Sequence, residues 1–250
     1  MAVSACYLPE LADSRRRFEN GLVVACSRGG RLLGGDTWKA AHVLQRYLAA
    51  NCEVVAGKRV VELGSGAGYL AMSVHLLGSS LSILTDRGDV LALAQSNIAE
   101  NDTLLQSAGG KLESMWLDWL EIEESGTLPR KLLEEGGTDA TQVASRPPYD
   151  VVLACDCLYQ SQQASALLAV IKLLVCERRT TTVLLCQSFR GAMDVEAAFF
   201  DAATREGFCC ALVSQQEESS PDHEALKKLR IDIWRLSLKA PAAAALGSWG

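Results

Sequence analysis

A glycine-rich turn and a downstream carboxylate are the first residues whose types and spacing could bind a ligand. Gly64, Gly66 and Gly68 follow a short apolar segment and precede a predicted helix that begins at Tyr69. Glycines allow positive φ and let a ligand approach the backbone closely, and the start of a helix offers unpaired N–H groups. Asp86 ends a second apolar segment about 20 residues later, where a carboxylate can accept hydrogen bonds from ribose hydroxyls. The pattern therefore indicates a site for a ligand that contains a nucleoside.

Three ligands of this kind compete for the turn. A nucleoside triphosphate would require Lys-Ser or Lys-Thr after the glycines, but Tyr69-Leu70 stands there. A dinucleotide usually requires a glycine where Tyr69 lies, which makes a dehydrogenase a distant alternative. S-adenosylmethionine has no pyrophosphate and requires only a tight turn against its amino-acid end. Two structural alternatives stay open: the glycines could form a simple tight connection, and Asp86 could cap the helix that starts near Gly88.

Strand-like and helix-like segments alternate along most of the chain, which predicts an α/β fold with a doubly wound, mostly parallel sheet. The last two strands are separated only by a polar loop, so we expect them to form an antiparallel hairpin at one edge. Predicted strands lie at 60–63, 81–86, 111–115, 149–156, 181–186, 208–213 and 231–238, and predicted helices at 38–51, 69–77, 90–100, 162–176 and 193–206.

The predicted organisation is one domain over residues 36–239, with an extension before it and a frayed tail at 240–250. In the extension, 1–35, the apolar segments 22–26 and 31–33 could form a small hairpin. Asp36 or Thr37 could cap the helix that follows. Residues 121–148 are polar and rich in Gly, Glu and Thr, and we interpret them as an acidic insertion with a helix near 129–135.

Composition narrows the classes of function. The 250 residues are 49% hydrophobic and carry a net charge of −6, which makes nucleic acid an unfavourable partner. No apolar run reaches the ~18 residues that span a bilayer, so no membrane partner is predicted. The 9 cysteines are scattered and only 3 histidines are present, which predicts no metal site. With no secretory signal at the N-terminus, we expect a cytoplasmic and also a nuclear location, and a monomer.

Several short motifs together carry a resemblance to a known family. These are Val61–Gly68, Leu84–Asp86, Asp118-Trp119, Asp150–Tyr159 and Thr37–Ala41. In this order and spacing they resemble the seven-stranded, Rossmann-like class I S-adenosylmethionine-dependent methyltransferases, and more narrowly the methyltransferase-like protein-lysine methyltransferases of family 16. The resemblance covers roughly residues 34–236.

The resemblance implies a role for each residue of a cofactor pocket. Gly64, Ser65 and Gly66 would shape the turn under the methionine portion of S-adenosylmethionine, and Glu62 would bind its amino group. Asp86 would hold the ribose. Trp119 would stack on the adenine, although Trp116 could take that role, and Trp38 would close the methionine side unless it is only a helix anchor. Cys155, with Ala154, would replace small residues of the pocket wall.

The resemblance also implies an acceptor site at Asp156 and Tyr159, which match the Asp-x-x-Tyr motif of the family. Asp156 would position an incoming lysine ammonium, and Tyr159 would form an aromatic wall beside it. The structural alternative is a helix cap and a packed ring.

The expected function is therefore transfer of a methyl group from S-adenosylmethionine to a lysine of a protein substrate. Transfer to arginine, histidine or a small molecule is the first alternative, and a non-catalytic scaffold that binds S-adenosylmethionine is the second. The acceptor, the number of methyl groups and the role of 121–148 are not decided by the sequence.

Overall fold

The computed structural model describes residues 14–27, 32, 34–128, 149–175, 181–189, 193–218 and 229–238. The strands of this part of the chain are β1 (Ser14–Arg17), β2 (Val23–Cys26), β3 (Arg59–Leu63), β4 (Leu81–Asp86), β5 (Lys111–Trp116), β6 (Val151–Cys155), β7 (Thr182–Ser188), β8 (Phe208–Glu218) and β9 (Leu229–Leu238). The α-helices are α1 (Lys39–Ala50), α2 (Tyr69–Leu76), α3 (Gly88–Glu100), α4 (Asp102–Gln106), α5 (Trp119–Ser125), α6 (Ser161–Leu174) and α7 (Met193–Arg205).

Seven of the strands form one sheet in the order β5-β4-β3-β6-β7-β9-β8. The first five strands are parallel, and β9 pairs antiparallel with both β7 and β8. The predicted α/β class, the mostly parallel sheet and the antiparallel hairpin at one edge are confirmed. The order reverses between β3 and β6, and ligands of open α/β sheets bind at such a point, beyond the carboxyl ends of the strands.

The central strands are apolar on both faces because helices cover both faces. Every residue of β6 is buried, as expected for a central parallel strand. One face packs against α6 and α7 around Leu167 and Phe199. The other face packs against α1 and α2 around Leu44 and Leu70. These two apolar layers hold the carboxyl ends of β3, β4 and β6 side by side.

The N-terminal hairpin forms, but with a different partner strand from the one predicted. β2 pairs with β1, Ser14 opposite Cys26, whereas the sequence prediction paired it with 31–33. Residues 31 and 33 lie outside the described residues. Two asparagines complete the backbone hydrogen bonds of β2: Asn97 of α3 exchanges two with Ala25, and Asn101, the C-cap residue of α3, exchanges two with Val23. These long-range amide contacts could not be deduced from local sequence pattern.

Two short helices were not predicted. These are α4 and α5, and α5 takes up the start of the predicted 121–148 insertion. The helix predicted near 129–135 and the tail at 240–250 lie outside the described residues. In the described part of the chain, no helix has the length and apolarity needed to span a bilayer.

Candidate functional site

A cavity of about 230 Å³ opens at the carboxyl ends of β3, β4 and β6. The residues predicted for cofactor and acceptor all line it: Trp38, Glu62, Gly64, Ser65, Gly66, Asp86, Trp119, Cys155, Asp156 and Tyr159. The fold therefore brings together residues that are spread over nearly half of the chain, from Trp38 to Tyr159.

The glycine turn is shaped by left-handed backbone and by a close neighbour. Gly64, Gly66 and Gly68 have φ of 70°, 57° and 82°. A Cβ atom at Gly66 would lie 2.6 Å from the carbonyl oxygen of Gly34, closer than real Cβ contacts allow. Gly66 is therefore required both by the backbone conformation and by the segment that passes over the turn.

Asp86 is tied to this turn. Its Oδ2 accepts a hydrogen bond from the N–H of Gly66 at 2.8 Å, and its Oδ1 accepts from the N–H of Arg87 at 2.8 Å. The helix-cap alternative for Asp86 is wrong, because Arg87 is the N-cap residue of α3. Burial raises the pKa of Asp86, and the two backbone N–H groups oppose this shift. Each oxygen keeps a lone pair that can accept a hydrogen bond from a ribose hydroxyl.

Glu62 is a buried carboxyl group in the lining of the cavity. Its residue is 2% exposed, and among the described residues no hydrogen-bond partner reaches its Oε2. Burial raises its pKa well above the ordinary value of 4.5, opposed by a backbone hydrogen bond at Ala71 and reinforced by the charge of Asp86. A buried carboxyl group without a full set of partners is costly, so a cationic ligand group would stabilise it.

The two candidate tryptophans for adenine stacking occupy different places. A Cβ at Gly64 would lie 3.1 Å from Cη2 and Cζ2 of Trp119, so the Trp119 indole lies over the glycine turn. Trp116 is 46% exposed and does not line the cavity. Asp118 fixes the start of α5 by accepting a hydrogen bond from the N–H of Leu120 at 3.0 Å. The geometry favours Trp119.

Trp38 also lines the cavity. It is the N-cap residue of α1 and is 38% exposed, so it is not a buried helix anchor. The prediction that Asp36 or Thr37 caps this helix is wrong: within the described structure, no side chain caps α1. The side chains of Asp36 and Thr37 are both hydrogen-bonded to Arg16 instead.

Asp156 is held in an unusual backbone conformation at the end of β6. Its φ is 52°, which only a few non-glycine residues adopt. Its Oδ1 accepts a hydrogen bond from the N–H of Ser188 at 2.7 Å, and its Oδ2 accepts one from the Ser188 hydroxyl at 3.1 Å. The N–H of Leu158 donates to Oε1 of Gln187 at 3.1 Å. The end of β7 thus fixes both the carboxylate and the loop that follows it.

Tyr159 and the nearby thiols complete the acceptor side. Tyr159 is 40% exposed and its pKa is raised by burial, and α6 begins at Ser161 with Gln160 as N-cap. The alternative of a helix cap and a packed ring therefore does not describe this pair. Burial raises the pKa of Cys155 and Cys157 well above the ordinary value, so both thiols stay neutral. A neutral thiol is a small apolar wall and a poor nucleophile.

The sequence analysis assigns no site role to several residues of the cavity wall: Gly34, Asp36, Arg87, Asp118 and Gln163. Arg87 follows the strand-ending Asp86 directly, and its Nη1 lies 3.3 Å from Oδ2 of Asp118. The signal for Arg87 was its position at a strand end, but the pairing with Asp118 depends on the register of β4 and β5. Among the described residues, no group of histidine, cysteine or acidic side chains has the geometry of a metal site.

The strand order, the helices on both faces and the cavity at the reversal point define the fold of the class I methyltransferases. The structure of a putative RNA methyltransferase from Pyrococcus horikoshii is similar, with a TM-score of 0.54 and 17% identity over 86% of this chain and 92% of that one. At this identity the similarity concerns the fold alone.

Residues 19–206 match the lysine methyltransferase family, and the chain belongs to this family. It is 32% identical to the protein-lysine N-methyltransferase EFM3 of Chaetomium thermophilum over 70% of this chain and 48% of that protein. It is 26% identical to the methyltransferase-like protein 22 of Mus musculus over 84% of this chain and 57% of that protein. The chain thus spans about half the length of these relatives.

Proposed function

We propose that this protein transfers a methyl group from S-adenosylmethionine to the side-chain nitrogen of a lysine in a protein substrate. The observation that carries the proposal is that one cavity is lined by carboxyl groups for a cofactor and by a carboxyl group for an acceptor amine. Glu62 and Asp86 lie at the glycine turn, and Asp156 lies at the neighbouring strand end beside Tyr159. Family membership supports the choice of lysine, since the relatives named above include a protein-lysine N-methyltransferase.

The cofactor side of the cavity suits the charges and hydroxyls of S-adenosylmethionine. The buried Glu62 carboxyl group would receive the cofactor's ammonium, and this contact would favour the ionised carboxylate. Asp86 would accept hydrogen bonds from the ribose hydroxyls while it keeps its bonds to the turn. The Trp119 ring offers a flat apolar surface for the adenine. When bound, S-adenosylmethionine supplies an activated methyl group on a sulfonium.

The acceptor side needs to align an amine and exclude water. The lysine nitrogen lone pair forms the new bond to the methyl carbon, and the electrons of the broken carbon–sulfur bond stay on sulfur. The amine must first lose a proton, because only about one lysine in 2500 is neutral at pH 7 for a pKa of 10.4. Asp156, fixed by Ser188, would orient the ammonium, and the ring of Tyr159 would contact it. Neutral Cys155 and Cys157 would add an apolar wall that disfavours charge on the amine.

The decisive variant is Asp156→Asn. Asparagine tolerates positive φ and has nearly the shape of aspartate, so the strained backbone is kept while the charge is removed. We expect methyl transfer to a protein substrate from labelled S-adenosylmethionine to fall at least about 100-fold, as for the loss of a buried charge contact. Binding of S-adenosylmethionine, measured by calorimetry, should stay within about twofold. Full activity of Asp156→Asn on the same substrate would refute the positioning role of Asp156.

The identity of the acceptor is tested on the labelled product. Acid hydrolysis of the methylated protein should release methyl-lysine, whereas methyl-arginine or methyl-histidine would establish the first alternative. Transfer to a small molecule alone would exclude a protein acceptor. A thermal-shift comparison of S-adenosylmethionine, S-adenosylhomocysteine, NAD and ATP should show stabilisation by the first two only. Binding without transfer to any acceptor would favour the scaffold.

The proposed acceptor is a cytoplasmic or nuclear protein, and the enzyme is proposed to act as a monomer. The net charge of −6 favours a basic, lysine-bearing partner over nucleic acid. Fractionation of cells with an antibody, together with size-exclusion chromatography of the purified protein, tests both statements.

A further inference from the structure

One wall of the cavity is an irregular segment, residues 34–38, which leads into α1. Gly34, Asp36, Thr37 and Trp38 of this segment all line the cavity. The segment passes directly over the glycine turn, because a Cβ at Gly66 would lie 2.6 Å from the Gly34 carbonyl oxygen and 3.6 Å from that of Asp36. Any shift of this segment therefore changes the shape of the cavity at the turn.

Arg16 of the N-terminal hairpin contacts this segment, whose Gly35 carbonyl oxygen also accepts a backbone hydrogen bond from the N–H of Ser27 at 2.8 Å. Nη1 of Arg16 donates to the hydroxyl of Thr37 at 2.7 Å and to the Thr37 carbonyl oxygen at 3.3 Å. Nη2 of Arg16 lies 3.1 Å from Oδ1 and 3.3 Å from Oδ2 of Asp36. The side chains of Arg16 and Asp36 are only 29% and 24% exposed, so the pair is partly shielded from water. These contacts explain why neither Asp36 nor Thr37 caps α1.

The hairpin that carries Arg16 is itself attached to the glycine turn. Asn97 donates one hydrogen bond to the carbonyl oxygen of Ala25 in β2 and another to that of Ala67 in the turn, at 3.0 and 2.9 Å. β1 is therefore fixed relative to the turn through β2 and Asn97. Arg16 connects β1 to Asp36 and Thr37 of the 34–38 segment.

We propose that Arg16 is a positioning residue for S-adenosylmethionine, acting through Asp36 and Thr37 to hold the 34–38 wall and Trp38 against the glycine turn. The proposal rests on the proposed function for its ligand, but it concerns a residue outside the family match, which begins at residue 19. The planar guanidinium reaches a carboxylate, a hydroxyl and a carbonyl oxygen at once, which a lysine ammonium on a flexible stem does not reproduce. Arg16 also balances the charge of Asp36, which would otherwise add an unpaired carboxylate to a cavity that receives the cofactor's own carboxylate.

The test measures the Kd of S-adenosylmethionine by calorimetry on the full chain. Arg16→Ala should weaken binding about tenfold. Arg16→Lys keeps the charge but loses the planar guanidinium with its several N–H donors, and should weaken binding about threefold. The matched control is Arg15→Ala, because Arg15 is its neighbour in β1 and pairs with Glu100 at 2.9 Å, away from the cavity. The Kd of Arg15→Ala for S-adenosylmethionine should stay within about twofold of that of the parent protein. Circular dichroism confirms that all variants are folded at the temperature used.

A double variant shows whether Arg16 acts through Asp36. Asp36→Asn combined with Arg16→Ala should bind no more weakly than Arg16→Ala, because residues in one network are not additive. The proposal would be overturned if Arg15→Ala and Arg16→Ala lost the same affinity for S-adenosylmethionine, or if Arg16→Ala lost none. It would also be overturned if the double variant bound more weakly than Arg16→Ala by the full effect of Asp36→Asn alone. Failure of the parent protein to bind S-adenosylmethionine would instead contradict the proposed function.

Discussion

The carboxyl groups on the two sides of the cavity differ in their hydrogen-bond partners within the protein. On the cofactor side, Glu62 has an oxygen that no described residue reaches, and each oxygen of Asp86 accepts one backbone hydrogen bond. On the acceptor side, both oxygens of Asp156 are held by Ser188, and the backbone of Asp156 is itself strained. The cofactor side keeps capacity for ligand bonds, whereas the acceptor side is arranged in advance.

This difference fits the demands of the two ligands. A cofactor with a fixed set of charges and hydroxyls can supply the missing partners of buried groups, and the gain contributes to binding. An acceptor side chain enters from solvent and makes few polar contacts. The Asp156 carboxylate that receives it must therefore be oriented by the protein itself. The left-handed conformation at Asp156 is the kind of local strain that surrounding structure must stabilise.

The largest effect should come from the glycine turn of the cofactor side. Gly66→Ala should lower the free energy of unfolding by about 3 kcal/mol, because it adds a steric contact with Gly34 to the cost of positive φ. The matched control is Gly78→Ala, since Gly78 also has positive φ but nothing within 4 Å of its Cβ position. That variant should lose only about 1 kcal/mol in urea unfolding. Equal losses would show that the 34–38 segment does not press on the turn.

The next effect concerns the carboxylate assigned to the ribose. Asp86→Asn should weaken binding of S-adenosylmethionine about 100-fold, equivalent to about 2.7 kcal/mol, since charge-assisted hydrogen bonds are lost. Asp150→Asn is the control, because Asp150 also accepts a backbone N–H, from Arg59 at 3.0 Å, but at the opposite end of the sheet. Calorimetry should find its affinity nearly unchanged. A similar affinity in both variants would remove Asp86 from the cofactor site.

A smaller effect tests whether Ser188 orients the Asp156 carboxylate before the acceptor binds. Ser188→Ala should lower kcat about tenfold and leave the Kd of S-adenosylmethionine unchanged, because Asp156 loses the hydrogen bond from the Ser188 hydroxyl. Ser188→Thr, which restores the hydroxyl, should recover part of kcat. Ser82→Ala is the control, a buried serine that shares a hydrogen bond with Ser79 at 2.6 Å far from the cavity. If Ser82→Ala lowers kcat as much as Ser188→Ala, the effect is only a loss of stability.

The smallest effect is the release of a proton from Glu62 when S-adenosylmethionine binds. Burial raises the pKa of Glu62 well above 4.5, so the folded, unliganded protein retains this proton to a higher pH than the unfolded chain. Stability contributed by the protonated group is therefore lost as pH rises through the raised pKa. A cofactor ammonium favours the carboxylate, so binding should release up to about one proton, and affinity should rise with pH in the same window.

Calorimetry in buffers of different ionisation enthalpy measures this release. Glu62→Gln should abolish it. Glu196→Gln should leave it intact, because Glu196 also has a pKa raised by burial but does not line the cavity. Proton release that persists in Glu62→Gln would assign the titration to another group.

Much of the fold could be predicted because its signals are local. The buried strands are recognisable in the sequence as apolar runs. The helices that follow them begin within a few residues of the predicted positions. Asp86 and Asp156 could be placed near each other because each ends a parallel strand, and such ends meet at one edge of the sheet. The short helices α4 and α5 were missed because five to seven residues carry too little periodicity.

The sequence by itself determined the glycine turn, the acids at the strand ends and the alternation that produces a parallel sheet, since each depends on a residue type within a few positions of its neighbours. Only the tertiary structure decided which partners these residues meet. Arg16 reaches Asp36 and Thr37, Asn97 joins β2 to the turn, and Ser188 holds Asp156. Those contacts join residues distant along the chain, and their geometry follows from the packing of the hairpin and the register of the sheet, which no local pattern encodes.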